Sequence, residues 1–327
     1  MLTKSNEGIG DRSSVEGANA ADKNIPAAIT DTGCERDLNE DRYAVIESPS
    51  GLMWLVCDGM GGVAGGELAA QLAVDAIKRD LEGFSARPLV TATRSAFMEA
   101  NRVIVLRRQN QAFSQMGTTA VAVTFSGIEL AIGWVGDSRA YLIRDGEIEL
   151  LTKDHTYVQQ LVDEGKIMQE DALSHPDAHI LTRCIGAEPG LKVDVQKYWL
   201  WETVEGAPND IVVLCSDGLY SEVTDDELAE IVNNETPQHA CVKLVDLAKE
   251  RGGFDNITVA IIPVGGQVRQ EPPAGYDEMA AIRMRRQKTV KNKNSKGGWG
   301  KTLLGAFLLS VFAAMIVVIA VIFFVSR

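Results

Sequence analysis

The chain has 327 residues, is 46% hydrophobic and carries a formal net charge of −13. From residue 281 onward there are nine Lys and Arg and no Asp or Glu, which leaves 23 basic residues against 45 acidic ones before it, a net of −22. So acidic a body is excluded as a general nucleic-acid binder, whose affinity rests on neutralising phosphates, but it suits cations wherever its carboxylates converge.

Residues 1–28 are polar and aperiodic, lack the apolar core of a signal peptide, and are expected to form a disordered arm. The body runs from 29 to 264. Its first acidic group is "ERDLNEDR", with Glu40 and Asp41 just before the strand "YAVIE" and Arg36 four residues upstream of Glu40. An exposed charged turn is the plainer explanation of that stretch taken alone. The runs "LMWLVC", "TAVAVTF", "ELAIGWVG", "AYLIR", "DIVVLC" and "NITVAII" have the composition and length of strands. "GELAAQLAVDAIKRDL" and "LVTATRSAFMEANRVIVLRRQ" are apolar at helical spacing. The link "GDS" between the runs at 129–136 and 139–144 is too short for a parallel crossover, so those two strands are expected to pair antiparallel. Helices cluster after the second strand and near the end of the body, which predicts an α+β fold with helices outside antiparallel sheets.

After residue 264 comes "GGQVRQEPPAGYDE", expected to open a linker and basic juxtamembrane segment over 265–301. Residues 302–325 follow as a predicted transmembrane helix. Its 23 uncharged residues from Leu303 to Val325 would span ~34 Å as a helix, against a hydrocarbon core of about 30 Å. The basic flank predicts a single-pass C-terminal anchor with the body on the cytoplasmic side of the lipid membrane. The cysteines Cys34, Cys57, Cys184, Cys215 and Cys241 form no C-x-x-C pair, and an unpaired odd count suits a reducing compartment.

Four apolar runs meet an Asp beside Gly, Ser or Asn: "LVCDG" (Asp58), "GWVGDS" (Asp137), "VVLCSDG" (Asp217) and "GGFDNITV" (Asp255). One Asp-Gly is ordinarily a turn. Four at strand ends can converge in space, and two carboxylates about 4 Å apart repel by ~4 kcal/mol at an effective dielectric of about 20. Hard cations with oxygen ligands, Mg²⁺ or Mn²⁺, relieve that repulsion most simply. Other chemistries fail. "GGVAGGE" has Glu67 where a P-loop needs Lys, there is no kinase or G-x-S-x-G motif, and no Cys has Arg six positions on. His155, His175, His179 and His239 are expected to be exposed or capping residues.

These residues together resemble the metal-dependent protein phosphatases of the protein phosphatase 2C family. The matching segments are "RDLNED" (36–41), "VCDGMGGVAGGELAA" (56–70), "GTTA" (117–120), "GDSRAYLIRDG" (136–146), "LTKDHT" (151–156), "LTRCIG" (181–186), "CSDGL" (215–219) and "GGFDNITVAII" (252–262). The resemblance implies a four-layer αββα sandwich with two Mn²⁺ or Mg²⁺ ions where the sheets meet. Asp58 resembles the bridging ligand, Asp217 and Asp255 ligands of the first ion, and the Gly59 carbonyl a ligand of the second. Glu40 resembles a residue reaching a metal through water, and Asp41 one that hydrogen-bonds such a water. Asp137 matches a residue that, in bacterial members, helps hold a weaker third ion, and Arg36 the phosphate-binding arginine. Residues from His155 to Ile185 match a flap beside the site. Met60 stands where many eukaryotic members carry a His, as in bacterial members.

The implied activity is hydrolysis of phosphoserine and phosphothreonine in proteins by a metal-activated water, opposing a Ser/Thr kinase. The alternatives are a small-metabolite phosphatase of the same fold, an inactive phosphoprotein binder and a membrane scaffold.

Overall fold

The computed structural model describes residues 23–62, 65–202, 209–284 and 286–287. The first half holds β1 (Ala27–Asp31), β2 (Arg42–Ser48), β3 (Gly51–Cys57), β4 (Gly59–Met60), α1 (Gly65–Gly83), α2 (Leu89–Arg107), β5 (Gly117–Thr118), β6 (Ala120–Ser126), β7 (Glu129–Val135), β8 (Arg139–Arg144) and β9 (Glu147–Leu150). Then come α3 (Tyr157–Asp163), β10 (Asp194–Trp201), β11 (Ile211–Cys215), α4 (Asp217–Tyr220), α5 (Asp225–Asn234), α6 (Pro237–Glu250), β12 (Ile257–Pro263) and β13 (Gln267–Arg269). The strands make a five-stranded sheet, β1-β12-β11-β8-β9, a six-stranded sheet, β13-β10-β7-β6-β3-β2, and a small β4-β5 ribbon. Every pairing is antiparallel.

Side chains alternate faces along a strand, and here both faces are buried. In β11, Val212 and Leu214 join a core between the two sheets, whereas Val213 and Cys215 join a second core with Leu228, Leu244 and Ala248 of α5 and α6. In β6, Val121 and Val123 face the inter-sheet core, whereas Ala120 and Ala122 belong to a third core with Ala69, Ala73, Ala96 and Ala100 of α1 and α2. Three apolar seams separate four layers: helices, sheet, sheet, helices. The double burial explains why these strands read as unbroken apolar runs. The architecture is the expected mixed fold of two antiparallel sheets.

The expected pairing across "GDS" is incorrect. β7 pairs with β6 and β10, and β8 pairs with β11 and β9, so Gly136–Ser138 carries the chain from one sheet to the other. Gly136 makes the change of direction with φ +103°, and a Cβ there would meet Thr119 Cβ at 2.6 Å. A short link excludes a parallel crossover but does not force a hairpin when two stacked sheets share a corner.

The ordered chain also extends beyond the expected domain limits. Ala27 and Ala28 belong to β1. Residues 267–269, expected in a linker, form β13 on the edge of β10. The chain continues along that edge: Trp201 donates to the Glu271 carbonyl at 3.0 Å, Lys197 pairs with Glu278 at 2.8 Å, and Ile282 is buried. Among the described residues no helix is long and apolar enough to cross a membrane. The predicted span, 302–325, lies outside the described residues, as do residues 1–22 of the predicted arm.

Gly136→Ala should cost about 1–3 kcal/mol through backbone strain and the clash with Thr119. The measurement is urea denaturation, with a lower midpoint at unchanged slope.

Candidate metal centre

The four aspartates stand where the two sheets meet. Asp58 follows β3 and is fixed through its backbone: its carbonyl accepts from Thr118 Oγ1 and the Thr119 amide, both at 2.8 Å, and its amide donates to Thr119 Oγ1 at 3.1 Å. Thr119 Oγ1 lies 2.6 Å from Ser138 Oγ, which ties this strand end to the link holding Asp137. Asp217 opens α4 directly after β11. Asp255 precedes β12, and its Oδ1 accepts from the Asn256 amide at 2.8 Å.

Two close approaches close the floor. A Cβ on Gly59 would lie 2.1 Å from the Gly66 carbonyl oxygen, and one on Gly66 would lie 2.6 Å from Glu40 Cδ. Only glycine lets the start of α1 sit against Glu40. Asn256 organises the opposite wall. Its Nδ2 donates to the carbonyls of Thr32 and Leu38, and its Oδ1 accepts from the Glu40 amide. The loop that carries Arg36 and Glu40 is thereby pinned beside Asp255. Sequence reading missed Asn256, Thr118 and Thr119; "GTTA" and "FDNITV" had already marked their positions without indicating these partners.

The result is an open cavity of about 640 Å³ lined by Arg36, Glu40, Asp58, Gly59, Asp137, Asp217 and Asp255. Of the predicted site residues only Asp41 is outside that lining. It is fully buried behind the wall, with Oδ2 accepting from Ser216 Oγ and Thr258 Oγ1, both at 2.7 Å. Arg36 is exposed and reaches Asp255 Oδ2 at 2.7 Å. His179, expected to be a simple surface residue, is exposed but lines the cavity, 3.6 Å from Asp217 Oδ2. His155, expected to be exposed or capping, is instead buried, with its ring hydrogen-bonded on both sides.

The electrostatics are those of crowded anions. Burial and then the neighbouring Asp41, Asp217, Asp137 and Asp255 push the Asp58 carboxyl well above the usual range. Burial and then Asp217 do the same to Asp137. Burial lifts Asp41 from 3.8 to about 7 against the pull of Ser216 and Thr258, with Asp217 and Asp255 adding to the rise. Asp217 Oδ1 and Asp41 Oδ1 are buried without a hydrogen-bond partner. The carboxylates ring the cavity without closing on one another; among the described residues no three His, Cys, Asp or Glu side chains form a compact ligand cluster. Unpartnered carboxylate oxygens and mutual repulsion, with hard oxygen donors throughout, fit divalent Mn²⁺ or Mg²⁺. They do not fit a softer metal.

A family model described as Protein phosphatase 2C matches residues 35–247. The chain belongs to the protein phosphatase 2C family. The phosphatase is 35% identical over 240 residues to the serine/threonine phosphatase stp of Listeria monocytogenes, covering 71% of this chain and 93% of that one. It is similar to the crystal structure of the Mycobacterium tuberculosis serine/threonine phosphatase PstP/Ppp, with a TM-score of 0.64 and 34% identity over 72% of this chain and 97% of that one. It is also similar to the catalytic domain of PstP in complex with 2 manganese ions, with a TM-score of 0.61 and 33% identity over 72% of this chain and 96% of that one. This is a metal-dependent hydrolase, and Mn²⁺ or Mg²⁺ is its cofactor.

The raised carboxyls make stability depend on pH. The folded-state pKa of Asp41 lies above its unfolded value, so the native state keeps a proton that the unfolded state has lost. Metal-free protein should therefore melt at falling temperatures as pH climbs from 3.8 to about 7. Added Mn²⁺ should raise the melting temperature most at the top of that window, and Asp41→Asn should flatten part of the slope. Partly exposed Glu227, held near 2 by Arg251, acts in the opposite sense below its ordinary 4.5, so most of the two windows is separable in a thermal scan.

Proposed function

We propose that the phosphatase hydrolyses phosphoserine and phosphothreonine in proteins at a dinuclear Mn²⁺ or Mg²⁺ site. Asp58, Asp217, Asp255 and the Gly59 carbonyl would hold the two ions, Glu40 would act through water, and Asp137 would help hold a weaker third ion. The observation that carries this reading is the convergence of these carboxylates, from strand ends far apart in sequence, on one cavity with Arg36 at its rim. The relatives named as serine/threonine phosphatases support the substrate class.

When bound, the cations would supply positive charge facing the phosphoryl oxygens and would lower the pKa of a water, so that it could lose a proton and attack phosphorus. The chain's own residues do the rest. Arg36 exchanges its single contact to Asp255 for the substrate phosphate, where a guanidinium offers two parallel donors. Asp41 is locked by Ser216 and Thr258, and its free Oδ1 is the acceptor that orients a water. The acidic walls otherwise repel a phosphate dianion, so substrate binding depends on the loaded site. No protein nucleophile is needed. Burial raises the thiols of Cys57, Cys184, Cys215 and Cys241 above their ordinary range, which keeps them protonated and unreactive.

Asp58→Asn, Asp217→Asn and Asp255→Asn should each reduce turnover of a phosphothreonine peptide by at least about 100-fold, equivalent to ~2.7 kcal/mol in the barrier, with the circular dichroism spectrum unchanged. Near-normal turnover by Asp217→Asn at low Mn²⁺ would rule out the assignment. Trapping of a phosphocysteine would rule out direct attack by water.

The tail supports a tether. We infer that residues 302–325 anchor the chain in a membrane with the phosphatase on the cytoplasmic face, where it opposes a Ser/Thr kinase. The basic residues between Arg283 and Lys301 would lie on anionic lipid, each worth about 1 kcal/mol near the surface. Because Glu278 and Ile282 pack on the domain, a truncation after Gln287 should give soluble protein with unchanged peptide turnover. Recovery of the full chain in the soluble fraction would refute the anchor.

A further inference from the structure

His155 sits at the neck of the flap. The two strands of the neck meet at an isolated bridge, Thr156 opposite Leu181, and the Thr182 amide donates to the His155 carbonyl at 2.8 Å. The His155 amide donates to the Gly136 carbonyl at 3.0 Å, and the Gly136 amide donates back to His155 Nδ1 at 3.0 Å. Gly136 immediately precedes Asp137. On its other side, His155 Nε2 lies 2.9 Å from Asp194 Oδ2 of β10 and 2.9 Å from Arg183 Nη1. Arg183 also donates to the same Asp194 oxygen at 2.9 Å. The ring stacks on Trp134 with centroids 6.3 Å apart and is 7% exposed.

These partners fix the tautomer. A backbone amide can only donate, so Nδ1 is the acceptor and, in the neutral ring, Nε2 carries the proton and gives it to Asp194; the Arg183 guanidinium, also only a donor, then makes no hydrogen bond to Nε2 and donates to Asp194 instead. A second ring proton would face the Gly136 amide, donor against donor. The charged groups around the ring are Arg183 on the neck, Asp194 on β10 and Asp154 beside it, with Asp154 itself held by Arg139 at 2.7 Å. Burial, then Arg183, lowers the His155 pKa, in accord with a neutral ring.

We propose that His155 is a positioning residue that fastens the Gly136–Asp137 turn to the neck of the flap, so that the Asp137 carboxylate is held toward the cavity. Its ring is not part of the cavity lining; it acts through the Gly136 amide. The effect on turnover rests on the reading of Asp137 given above, whereas the link itself does not.

The test compares His155→Phe, which keeps the stack on Trp134 and loses both ring nitrogens, with His155→Asn, whose Oδ1 can replace Nδ1 as the acceptor. Nitrogen-15 spectra of the metal-free wild type should show His155 as the neutral Nε2–H tautomer. Hydrogen exchange at Gly136 should accelerate about tenfold or more in His155→Phe, as expected when a buried amide loses its acceptor, and largely recover in His155→Asn. Amides of β11 and β12 should be unaffected. Turnover should fall about tenfold in kcat with KM for the peptide nearly constant, and that loss should vanish in an Asp137→Asn background.

Unchanged Gly136 exchange in His155→Phe, or an Nδ1–H tautomer, would overturn the proposal. So would an equal loss of kcat with and without Asp137. If Asp137→Asn alone leaves turnover intact, the reading of Asp137 fails, and the exchange data still decide whether the link exists. Should His155→Phe fail to fold, Asp194→Asn, which weakens the other anchor of the ring, replaces it in the exchange measurement and must accelerate Gly136.

Discussion

Mutual repulsion among carboxylates is the constraint on which this structure depends. Asp58, Asp137, Asp217 and Asp255 arrive at one cavity from β3, the β7–β8 link, α4 and the start of β12. Like charges so placed raise the free energy of the folded chain unless a cation or proton lies among them. The scaffold tolerates them because both sheets are covered on both faces, and the three apolar cores supply the stability that the cavity does not. Two-sided burial leaves the strand ends as the place where charge can gather. There, solvent, Arg36 and the incoming ions can reach it.

The parts legible in the sequence were those written in local chemistry. Apolar runs gave β3, β6, β7, β8, β11 and β12, helical spacing gave α1 and α2, and an Asp at each strand end marked the cavity. β10 escaped because "DVQKYWLW" has no regular alternation; most of its residues are half-buried between β7 and β13. The "GDS" link was misassigned for a related reason. Loop length restricts direction, but it does not say which sheet the next strand joins, and a glycine at φ +103° can turn the chain through a corner.

Roles that depend on distant partners were not legible. Asn256 joins the Arg36 loop to β12, and Asp41 joins β2 to Ser216 and Thr258 across the inter-sheet seam. Nothing near His155 in sequence announces Gly136, Asp194 or Arg183, so it reads there as an exposed or capping residue. A buried polar side chain declares itself through its hydrogen-bond partners, and here those partners lie 19 to 39 residues away for His155 and 175 or more for Asp41 and Asn256.

The position of β12 has a consequence for how the enzyme is made. It lies between β1 and β11, with Ala27 opposite Ile261, so the first strand of the five-stranded sheet has no described neighbour there until almost the last strand is synthesised. Asp255 is delivered by that same late segment. Pairings so remote in sequence slow folding. The five-stranded sheet is therefore completed, and the last carboxylate delivered, only after nearly the whole domain has been made, so a chain that ends before that segment lacks Asp255 and leaves β1 without its strand partner.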